Sequence, residues 1–536
     1  MATSSDILAK HLYDAGCRYA FGIPGGEVVT IIDALERAGI KFVLTKHENN
    51  AGFMAEGVYH RTGVPGIMVA TLGPGVANGI NVIANAHQDK VPLIYLTGCV
   101  DEDEALTYTH QVFDHQKLLE PITKNTYRLT ADSANIIADR AVSLALDDRP
   151  GPVHIDIPIG VAKQTSTPSM EIRRVKPSPV APAPGQDLSQ AKEWLEQAKK
   201  PIVIAGLDVM NHSASDTLRA FIEHINAPLI TTYKAKGVVP EDHRLCLGGA
   251  GLSPLADKHL LPLIEDADLI LCIGYDPIEM RTGWRNIWDV KKQKVIEISA
   301  VSNDHYMHHA GLHFICDIKE GIEALLKKLP TRHSWPENEP SKVRIKLKEA
   351  FQPEEDWGPS TIIHMARNNL PRNTIATADS GAHRILQSQI WECYEPSTLL
   401  QSSALCTMGC AVPLAIGAKI ADPDRCSLAF TGDAGLLMIL GELASLEELA
   451  IPIVIIVFVD ASLALIELKQ RGVSLPNRGV DFGKHDFAAI ANAMGGNGID
   501  VTCKEEMEAA LAKAVSSDKF TVIACHIDRK AYDGKF

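Results

Sequence analysis

The sequence predicts three consecutive α/β domains, each built around a mainly parallel sheet. The chain has 536 residues, which suits about three domains at the usual rate of roughly one per 100–200 residues. Short apolar runs alternate with helical patterns along its length, and this alternation is typical of parallel α/β sheets. Two polar stretches that contain prolines, residues 163–186 and about 330–356, divide the pattern into three blocks.

Each block has its own strand pattern. We expect a first domain at residues 1–163, a central Rossmann-like domain at 188–330 and a third domain at 357–536. Apolar runs predict strands at residues 41–45, 63–69, 91–97 and 151–158 in the first block, and at 201–206, 229–232, 269–274 and 295–298 in the central block. The third block reads as a strand at 428–430, a helix at 436–449 and a buried strand at 451–459. No convincing sequence repeat relates the first and third blocks.

The composition excludes several classes of protein. Hydrophobic residues make up 46% and charged residues 22%, as in ordinary soluble globular proteins. The formal net charge of −14, with no basic run to offset it, argues against nucleic acid as a partner. No apolar run reaches the ~20 residues that a membrane span needs, and the N-terminus lacks the pattern of a signal peptide. Eleven cysteines without a Cys-x-x-Cys pair fit reduced thiols. We therefore expect a cytoplasmic protein without a membrane partner.

The third block carries two carboxylates at predicted strand ends. Gly432-Asp433-Ala434-Gly435 follows the strand at 428–430, and Asp460-Ala461-Ser462 follows the strand at 451–459. Because the carboxyl ends of parallel strands meet at one edge of a sheet, Asp433 and Asp460 should lie close together. Two carboxylates, a backbone carbonyl and a glycine-rich turn suit Mg²⁺ bound to a diphosphate. The alternative is that both are ordinary turn or helix-cap residues, which are common at such positions.

The first block offers a second group of candidate site residues. Glu48 stands where the strand at 41–45 passes into a helix. Two glycine-proline turns, Gly22-Ile23-Pro24-Gly25-Gly26 and Gly73-Pro74-Gly75, precede and follow it in the chain. Such turns let the backbone approach a ligand closely. The alternatives are an acid at a helix start, favoured by the helix dipole, and two ordinary turns.

Together these segments resemble the thiamine-diphosphate enzymes of the acetolactate synthase group, which also includes pyruvate oxidases and 2-oxo acid decarboxylases. The segments occur in family order: residues 21–26, 47–57, Gly73-Pro74-Gly75, 151–158, Thr407-Met408-Gly409 and Gly432-Asp433. The resemblance covers nearly the whole chain. It implies an enzyme that uses thiamine diphosphate and Mg²⁺, with active sites at the subunit interface of a homodimer or homotetramer.

The resemblance also implies roles for particular residues. Glu48 matches the glutamate that hydrogen-bonds the cofactor's aminopyrimidine ring and so promotes loss of the thiazolium C2 proton. Met408 matches the apolar residue that holds the cofactor bent, although spacing alone also fits a core methionine. Asp433, Asp460 and the Ser462 backbone match the metal ligands. Further positions that match cofactor-binding residues are Pro24, Gly25, Gly73, Asn78, Gly381, Ala382, His383, Cys406, Gly432, Ala434 and Gly435.

The chain departs from the family pattern at three cofactor positions. Ala434 stands where the family has glycine, which restricts the turn. Asp460 replaces asparagine, so it keeps an oxygen ligand but adds a negative charge that would weaken diphosphate binding by repulsion. Ala382 replaces a glutamine of acetolactate synthases. In the central block, Ala205-Gly206-Leu207 is less glycine-rich than in many flavin-binding members, so FAD is not expected, although the family allows it.

Four residues are candidates for the substrate pocket: Gly26, Lys90, Leu465 and Ile466. Leu465 and Ile466 follow the strand predicted at 451–459 and are apolar, so they would accept the small alkyl group of a 2-oxo acid. Their alternative role is core packing. Lys90 lies near the end of a strand and could pair with a carboxylate, although a solvated surface lysine is the commoner case.

Gln111 is the second candidate catalytic residue, because it matches a glutamine that acetolactate synthases place near the reacting intermediate. The region around it contains His110, Phe113 and His115 but no evident histidine pair of the kind that relays protons in pyruvate decarboxylases. This favours ligation of the fragment left after decarboxylation over its protonation. We therefore predict decarboxylation of a 2-oxo acid, with pyruvate the first candidate, and carboligation to a second carbonyl. The alternatives are a decarboxylase or other C–C lyase that acts on a different 2-oxo acid or diketone, and a catalytically silent cofactor-binding homologue.

Overall fold

The computed structural model describes residues 2–167, 177–303, 305–331, 334–353 and 355–536. It contains three six-stranded sheets, one in each predicted block, and the strand pairs in all three are parallel. The predicted fold class of three consecutive α/β domains is confirmed. The domain boundaries 1–163, 188–330 and 357–536 stay predictions, and part of the first predicted linker, residues 168–176, lies outside the described residues.

The first block forms one sheet with helices on both faces. Its strands are β1 (Tyr19–Ile23), β2 (Lys41–Leu44), β3 (Gly66–Ala70), β4 (Leu93–Cys99), β5 (Asn125–Arg128) and β6 (Pro152–Pro158). Its helices are α1 (Ser4–Asp14), α2 (Val29–Ala38), α3 (Glu48–Thr62), α4 (Pro74–Asn78), α5 (Ile80–Gln88), α6 (His115–Leu119), α7 (Ala134–Ala145) and α8 (Ile159–Lys163). The strand order is β2-β1-β3-β4-β6-β5. Strands β3, β4 and β6 are buried throughout, as expected for continuous apolar runs in a parallel sheet.

The central block is a doubly wound sheet. Its strands are β7 (Pro201–Ala205), β8 (Leu229–Thr232), β9 (Cys246–Ala250), β10 (Leu269–Ile273), β11 (Lys294–Ser299) and β12 (Leu312–Ile315). Its helices, with the one that leads into the third block, are α9 (Gln186–Gln197), α10 (Asp208–Asn211), α11 (Ser215–Ile225), α12 (Pro254–Asp266), α13 (Ile318–Leu326) and α14 (Glu339–Ala350). The order β12-β11-β10-β7-β8-β9 reverses direction between β7 and β10, and such reversal points form ligand crevices at the carboxyl edge of a sheet.

The third block carries the predicted clamp, which consists of Asp433, Asp460 and the Ser462 backbone. Its strands are β13 (Ile375–Ala378), β14 (Leu399–Gln401), β15 (Ser427–Gly432), β16 (Val454–Val459), β17 (Asn497–Val501) and β18 (Thr521–His526). Its helices are α15 (Pro359–Asn369), α16 (Ala382–Ile390), α17 (Ala411–Ala421), α18 (Asp433–Met438), α19 (Glu442–Glu448), α20 (Ala464–Gly472), α21 (Phe487–Ala493) and α22 (Lys504–Ser516). Short 3-10 helices in the chain lie at Glu104–Leu106, Glu120–Ile122, Ala131–Ser133, Pro277–Glu279 and Thr282–Trp284.

The first and third sheets have the same topology. The third sheet is ordered β14-β13-β15-β16-β18-β17. When its strands are counted from one, this is the order of the first sheet. The two blocks therefore share one sheet topology even though no sequence repeat is evident between them.

Two hydrophobic cores cross the block boundaries. One joins the first and third blocks and contains Phe53 and Met54 of α3 together with Val412 of α17. The other joins the central and third blocks and contains Trp284 and Trp391. The three blocks therefore pack against one another through shared apolar interiors. Among the described residues, no helix is both long and apolar enough to cross a bilayer.

Two predicted elements of the third block need correction. The helix predicted at 436–449 is divided into α18 and α19, because the chain turns at Gly441, where the Glu442 N–H bonds to the carbonyl oxygen of Ile439 at 2.9 Å. The strand predicted at 451–459 begins at Val454. Pro452, which has no N–H to donate, precedes it.

Candidate functional site

A cavity of about 250 Å³ lies at the carboxyl edge of the third sheet. It is bordered by the segments that follow β13, β15 and β16, where an open parallel sheet binds ligands. Of the predicted site residues, the structure brings these together around the cavity: Gly381, Ala382, His383, Cys406, Met408, Gly432, Asp433, Ala434, Gly435, Asp460, Ser462, Leu465 and Ile466.

Asp433 joins the two turns of the predicted clamp. It is the first residue of α18, and its Oδ1 accepts a hydrogen bond from the Ala434 N–H at 2.8 Å. Its Oδ2 accepts from the N–H groups of Asp460 at 3.1 Å and Ala461 at 2.7 Å. Asp460 in turn accepts from the Ser462 N–H at 3.0 Å. Both carboxylates therefore lie at one edge of the sheet, as the strand order requires.

The charges of this pair favour a bound cation. Burial raises the pKa of Asp433, and burial together with the Asp433 carboxylate raises the pKa of Asp460 to about 7. Two carboxylates that repel each other in a partly buried site are stabilised by a divalent cation with oxygen ligands. The donor set of Asp433, Asp460 and the nearby Ser462 carbonyl therefore fits Mg²⁺.

His383 provides a buried ring nitrogen that faces the same cavity. It stands in the first turn of α16, its ring stacks on Phe458 with centroids 5.3 Å apart, and its Nε2 has no hydrogen-bond partner among the described residues. Burial lowers the pKa of His383 to about 3, so the ring is neutral. A buried polar nitrogen without a partner is costly. A ligand in the cavity would give this nitrogen the hydrogen-bond partner that it lacks.

A loop from 402 to 409 brings Cys406 and Met408 to the cavity. Ser380 donates its hydroxyl to the Cys406 carbonyl at 2.7 Å. Cys406 has the left-handed φ of +55°. The first block holds this loop, because both carboxylate oxygens of Asp89 accept from it: Oδ2 from the Ser403 N–H at 3.0 Å and Oδ1 from the Ala404 N–H at 2.9 Å.

Asp379 is a site residue that the sequence reasoning missed. This buried carboxylate accepts hydrogen bonds from the Ser380 N–H at 2.9 Å, the Thr431 hydroxyl at 2.9 Å and the Cys410 N–H at 3.2 Å. Burial raises the pKa of Asp379 to about 6. A Cβ at Gly435 would lie 2.1 Å from Asp379 Oδ2, which explains glycine at that position. The signal that could have found it is its place directly before Ser380 and Gly381, one of the turns that match cofactor-binding positions.

Phe458 and Tyr532 were also missed. Both line the cavity and are buried, and their rings meet edge to face with centroids 6.5 Å apart. Phe458 belongs to β16, where it reads only as a core residue. Tyr532 comes from the C-terminal segment, and no motif in that segment connects it with the clamp.

The candidate site residues of the first block form a group that is separate from the cavity of the third block. Glu48 is the first residue of α3 and is 6% exposed, and its Oε2 accepts from Asn78 Nδ2 at 3.0 Å. Gly73 has a φ of +70°. A Cβ at Gly25 would lie 2.1 Å from Thr71 Oγ1, so the turn there requires glycine. The cavity at the carboxyl edge of the third sheet is not lined by Pro24 or Gly26, nor by Glu48, Asn78, Gly73 or Gly25.

Gln111 lines a different cavity, of about 440 Å³, in the first block. His115 and Asp156 border the same cavity. His115 also holds the turn at Gly73 by a hydrogen bond. The Gly73 N–H donates to His115 Nε2 at 3.3 Å, and His115 Nδ1 lies 3.0 Å from Asp156 Oδ1. The neutral ring with its proton on Nδ1 satisfies both contacts.

Lys90 lies apart from the clamp cavity, and the alternative of a solvated lysine is wrong. It is 7% exposed, and its Nζ lies 3.5 Å from Asp208 Oδ1 and 3.2 Å from Asp276 Oδ2. Both partners belong to the central block, where Asp208 follows β7 and Asp276 follows β10. The connection between α5 and β4 therefore places Lys90 at the carboxyl edge of the central sheet. There it borders a third cavity, of about 510 Å³.

This central cavity is lined by charged side chains of both signs. Asp208 begins α10 directly after β7, where the diphosphate of a dinucleotide would meet a helix start. A carboxylate there repels an anionic diphosphate. Asp276 and Glu297 add two more carboxylates to the cavity wall, while Lys90, Arg149 and Arg285 supply three cationic groups. The expectation that FAD is not a cofactor stays a prediction.

Comparison with known proteins finds matches in all three blocks. Residues 2–118 match the family model "Thiamine pyrophosphate enzyme, N-terminal TPP binding domain", residues 188–325 the central domain of the same enzymes, and residues 379–525 their C-terminal TPP binding domain. Thiamine pyrophosphate is another name for thiamine diphosphate.

Full-length relatives are acetolactate synthases. The acetolactate synthase of Bacillus subtilis is 28% identical over 537 residues, which cover 98% of this chain and 93% of the relative. The large subunit of acetolactate synthase isozyme 1 of Escherichia coli is 29% identical, with coverage of 98% and 94%. The acetolactate synthase large subunit of Lactococcus lactis is 30% identical over 484 residues, with coverage of 88% and 82%.

Proposed function

Because the chain belongs to the thiamine pyrophosphate enzyme family, we propose that it decarboxylates a 2-oxo acid and joins the remaining fragment to a second carbonyl. It is a thiamine-diphosphate-dependent enzyme similar to acetolactate synthases. Pyruvate is the proposed donor and a second 2-oxo acid the proposed acceptor. When bound, thiamine diphosphate supplies a nucleophilic carbon that adds to the 2-oxo group and takes up the electrons released with CO₂.

The observation that carries this proposal is the acidic pair beside an unpartnered histidine. Asp433 and Asp460 face a cavity that also contains the free Nε2 of His383. A metal-bound diphosphate accounts for both features, because the cation neutralises the carboxylates and a ligand in the cavity gives His383 Nε2 the partner that it lacks. We assign Asp433, Asp460 and the Ser462 carbonyl to Mg²⁺, with Gly381 and His383 on the diphosphate.

Glu48 is the proposed catalytic carboxylate. Asn78 holds its Oε2 at 3.0 Å, which leaves Oε1 to accept a hydrogen bond from the aminopyrimidine ring of the cofactor. Burial at 6% exposure strengthens that hydrogen bond by excluding water. Its role is to hold the ring in the protonation state that removes the thiazolium proton.

A homodimer is the proposed minimum unit, with a homotetramer as the larger alternative. Within the described part of one chain, Glu48 is not among the residues that line the cavity bordered by Asp433 and Asp460. The family resemblance implies that the first block of one protomer packs against the third block of its partner. In such a dimer, the Glu48 group of one protomer completes the diphosphate cavity of the other.

Carboligation is favoured over simple decarboxylation by two features. Leu463, Ala464 and Leu465 form an apolar stretch of the cavity wall, which accommodates an alkyl group and supplies no proton donor. His115 borders the Gln111 cavity, but the Gly73 N–H and Asp156 engage both of its ring nitrogens. A second carbonyl is therefore the better partner for the fragment left after CO₂ leaves.

The test is to incubate the protein with thiamine diphosphate, Mg²⁺ and 2-oxo acids, singly and in pairs, and to follow CO₂ and products by mass spectrometry. We expect CO₂ together with a product whose mass equals the two substrates minus CO₂. Aldehyde as the main product would instead identify a decarboxylase. Cofactor binding with no CO₂ from any substrate would identify a silent homologue.

A further inference from the structure

Glu442 is a fully buried carboxylate that connects the third block to the segment around Glu48. It is the first residue of α19 and is 0% exposed. Its Oε1 accepts hydrogen bonds from the Lys46 N–H at 2.9 Å and from Asn50 Nδ2 at 3.0 Å. Its Oε2 accepts from the Ser445 hydroxyl at 2.7 Å. All three of these donors are uncharged.

The two first-block donors stand on either side of Glu48. Lys46 precedes His47, the N-cap of α3, and Asn50 lies in the first turn of the helix. A single carboxylate oxygen therefore fixes the backbone just before the helix and a side chain within its first turn. These contacts determine the direction in which α3 begins, and with it the position of the Glu48 side chain.

We propose that Glu442 is a positioning residue for Glu48. The inference rests on the proposed role of Glu48 and deepens it. Glu442 acts through Lys46 and Asn50, while Asn78 holds Glu48 from the opposite element, the end of α4. Together these contacts hold the catalytic carboxylate from two sides.

The cost of burying a charge supports this role over plain packing. A buried carboxylate loses its hydration, and hydrogen bonds to neutral donors replace only part of it. An apolar residue of similar volume would fill the same space at lower cost. What such a residue could not do is accept simultaneously from the Lys46 N–H and the Asn50 amide.

The same helix provides a matched control. Glu448 ends α19, its side chain is 50% exposed, and it pairs with the Lys46 ammonium at 2.6 Å. Glu448 contacts the same first-block residue as Glu442. It contacts the Lys46 ammonium at the surface, however, and not the Lys46 backbone N–H. Exposed pairs of this kind contribute little to stability. Glu448→Gln should therefore leave Glu48 undisturbed.

The experiment measures deuterium exchange at the thiazolium C2 of enzyme-bound thiamine diphosphate, by acid quench and proton NMR. Exchange reports on the step that Glu48 promotes, without any substrate. Calorimetry measures Mg²⁺-dependent cofactor binding in parallel. The proteins are wild type, Glu442→Ala, Glu442→Asp, Glu442→Gln, Glu448→Gln and Glu48→Gln, each checked for folding by circular dichroism.

We expect Glu442→Ala to slow exchange roughly 10- to 100-fold, the loss typical of a misplaced catalytic group, while cofactor binding is retained. Glu442→Gln should stay near the wild-type rate, because its amide oxygen accepts from the same two donors and its NH₂ can donate to Ser445. If Glu442→Ala does not fold, Glu442→Asp, which retracts the carboxylate, should slow exchange to a smaller extent.

Wild-type exchange in a folded Glu442→Ala or Glu442→Asp protein would overturn the proposal. So would an equal loss in Glu448→Gln, since a general disturbance of α19 would then explain the effect. Failure of the proposed function looks different, because Glu48→Gln would then exchange at the wild-type rate or the wild type would bind no cofactor.

Discussion

Gly57 and Gly417 lie where helix α3 crosses helix α17, and each allows the opposite backbone to approach. A Cβ at Gly417 would lie 2.0 Å from the Met54 carbonyl oxygen, and one at Gly57 would lie 2.4 Å from that of Leu414. The two helices are therefore closer than any side chain at these positions permits. Because α3 begins at Glu48, the crossing also fixes a proposed site residue against the third block.

We expect Gly417→Ala to lower the free energy of unfolding by roughly 1–3 kcal/mol, because the added methyl group forces the helices apart. Urea denaturation at constant pH measures the change. Gly472→Ala is the matched control, since it also lies in a helix but a Cβ there would meet no atom within 4 Å. Equal stability of the Gly417→Ala protein and wild type would show that the crossing is looser than described.

We expect Glu48→Gln to lower the rate of CO₂ release by roughly 10²- to 10⁴-fold, the usual contribution of general acid–base catalysis. Glutamine keeps the shape and the contact to Asn78, so folding should be unchanged. Steady-state kinetics and circular dichroism test both parts. A variant that turns over at the wild-type rate would remove Glu48 from the mechanism.

The protein without metal should become less stable as the pH rises from about 4 to about 7. The pKa of Asp460 is raised to about 7 from its ordinary value of 3.8, by burial and by Asp433. Between these values the folded protein binds a proton that the unfolded chain releases, so the free energy of unfolding falls with increasing pH. Melting temperatures at pH 5 to pH 8 measure this.

Asp460→Asn supplies the control for that pH dependence. The variant lacks the titrating carboxylate, so it should lose this part of the slope and be more stable than wild type at pH 8 without metal. Saturating Mg²⁺ should stabilise the wild type most at high pH, where both carboxylates are ionised. Identical slopes in the variant and the wild type would rule out Asp460 as the titrating group.

We expect Met408→Ala to lower kcat by roughly 10- to 100-fold, because an apolar side chain beside the diphosphate turn would no longer hold the cofactor in its reactive shape. Mg²⁺-dependent binding should weaken less than kcat falls. Met408→Leu, which conserves volume, should restore most of the rate. A Met408→Ala enzyme with unchanged kcat would assign Met408 to the core alone.

Leu465→Ala should widen the substrate pocket. We expect kcat/KM for longer-chain 2-oxo acids to rise relative to pyruvate by roughly tenfold or more, since each methylene in an apolar pocket is worth about 1–3 kcal/mol. Val473→Ala is the control because Val473 is 68% exposed and lies outside the cavity. An unchanged substrate preference would place Leu465 outside the reacting end of the pocket.

Motifs at strand ends could be predicted because they are local. Asp433 and Asp460 each follow an apolar run, and neighbouring parallel strands end at the same edge, so their meeting follows from the pattern. Tyr532 could not be predicted in this way. It is an isolated aromatic residue that reaches the cavity only because the C-terminal segment returns to β16.

Electrostatic partners that are distant in the sequence could not be predicted either. Lys90 reads as a surface lysine until the fold brings it to Asp208, a residue 118 positions further along the chain. Glu442 falls inside the helix predicted at 436–449, and its partners Lys46 and Asn50 are 396 and 392 positions away. Periodicity and spacing carry no information about such contacts.

The sequence by itself determined the three α/β blocks, the cofactor family and the acidic clamp, because strand periodicity, turn residues and motif order are properties of nearby residues. Only the tertiary structure decided that the first and third sheets share one strand order and that α3 and α17 cross at Gly57 and Gly417. It alone brought Glu442 to the segment around Glu48. These features depend on which distant surfaces pack together, and that choice is made by burial and close packing over the whole chain rather than by any local pattern.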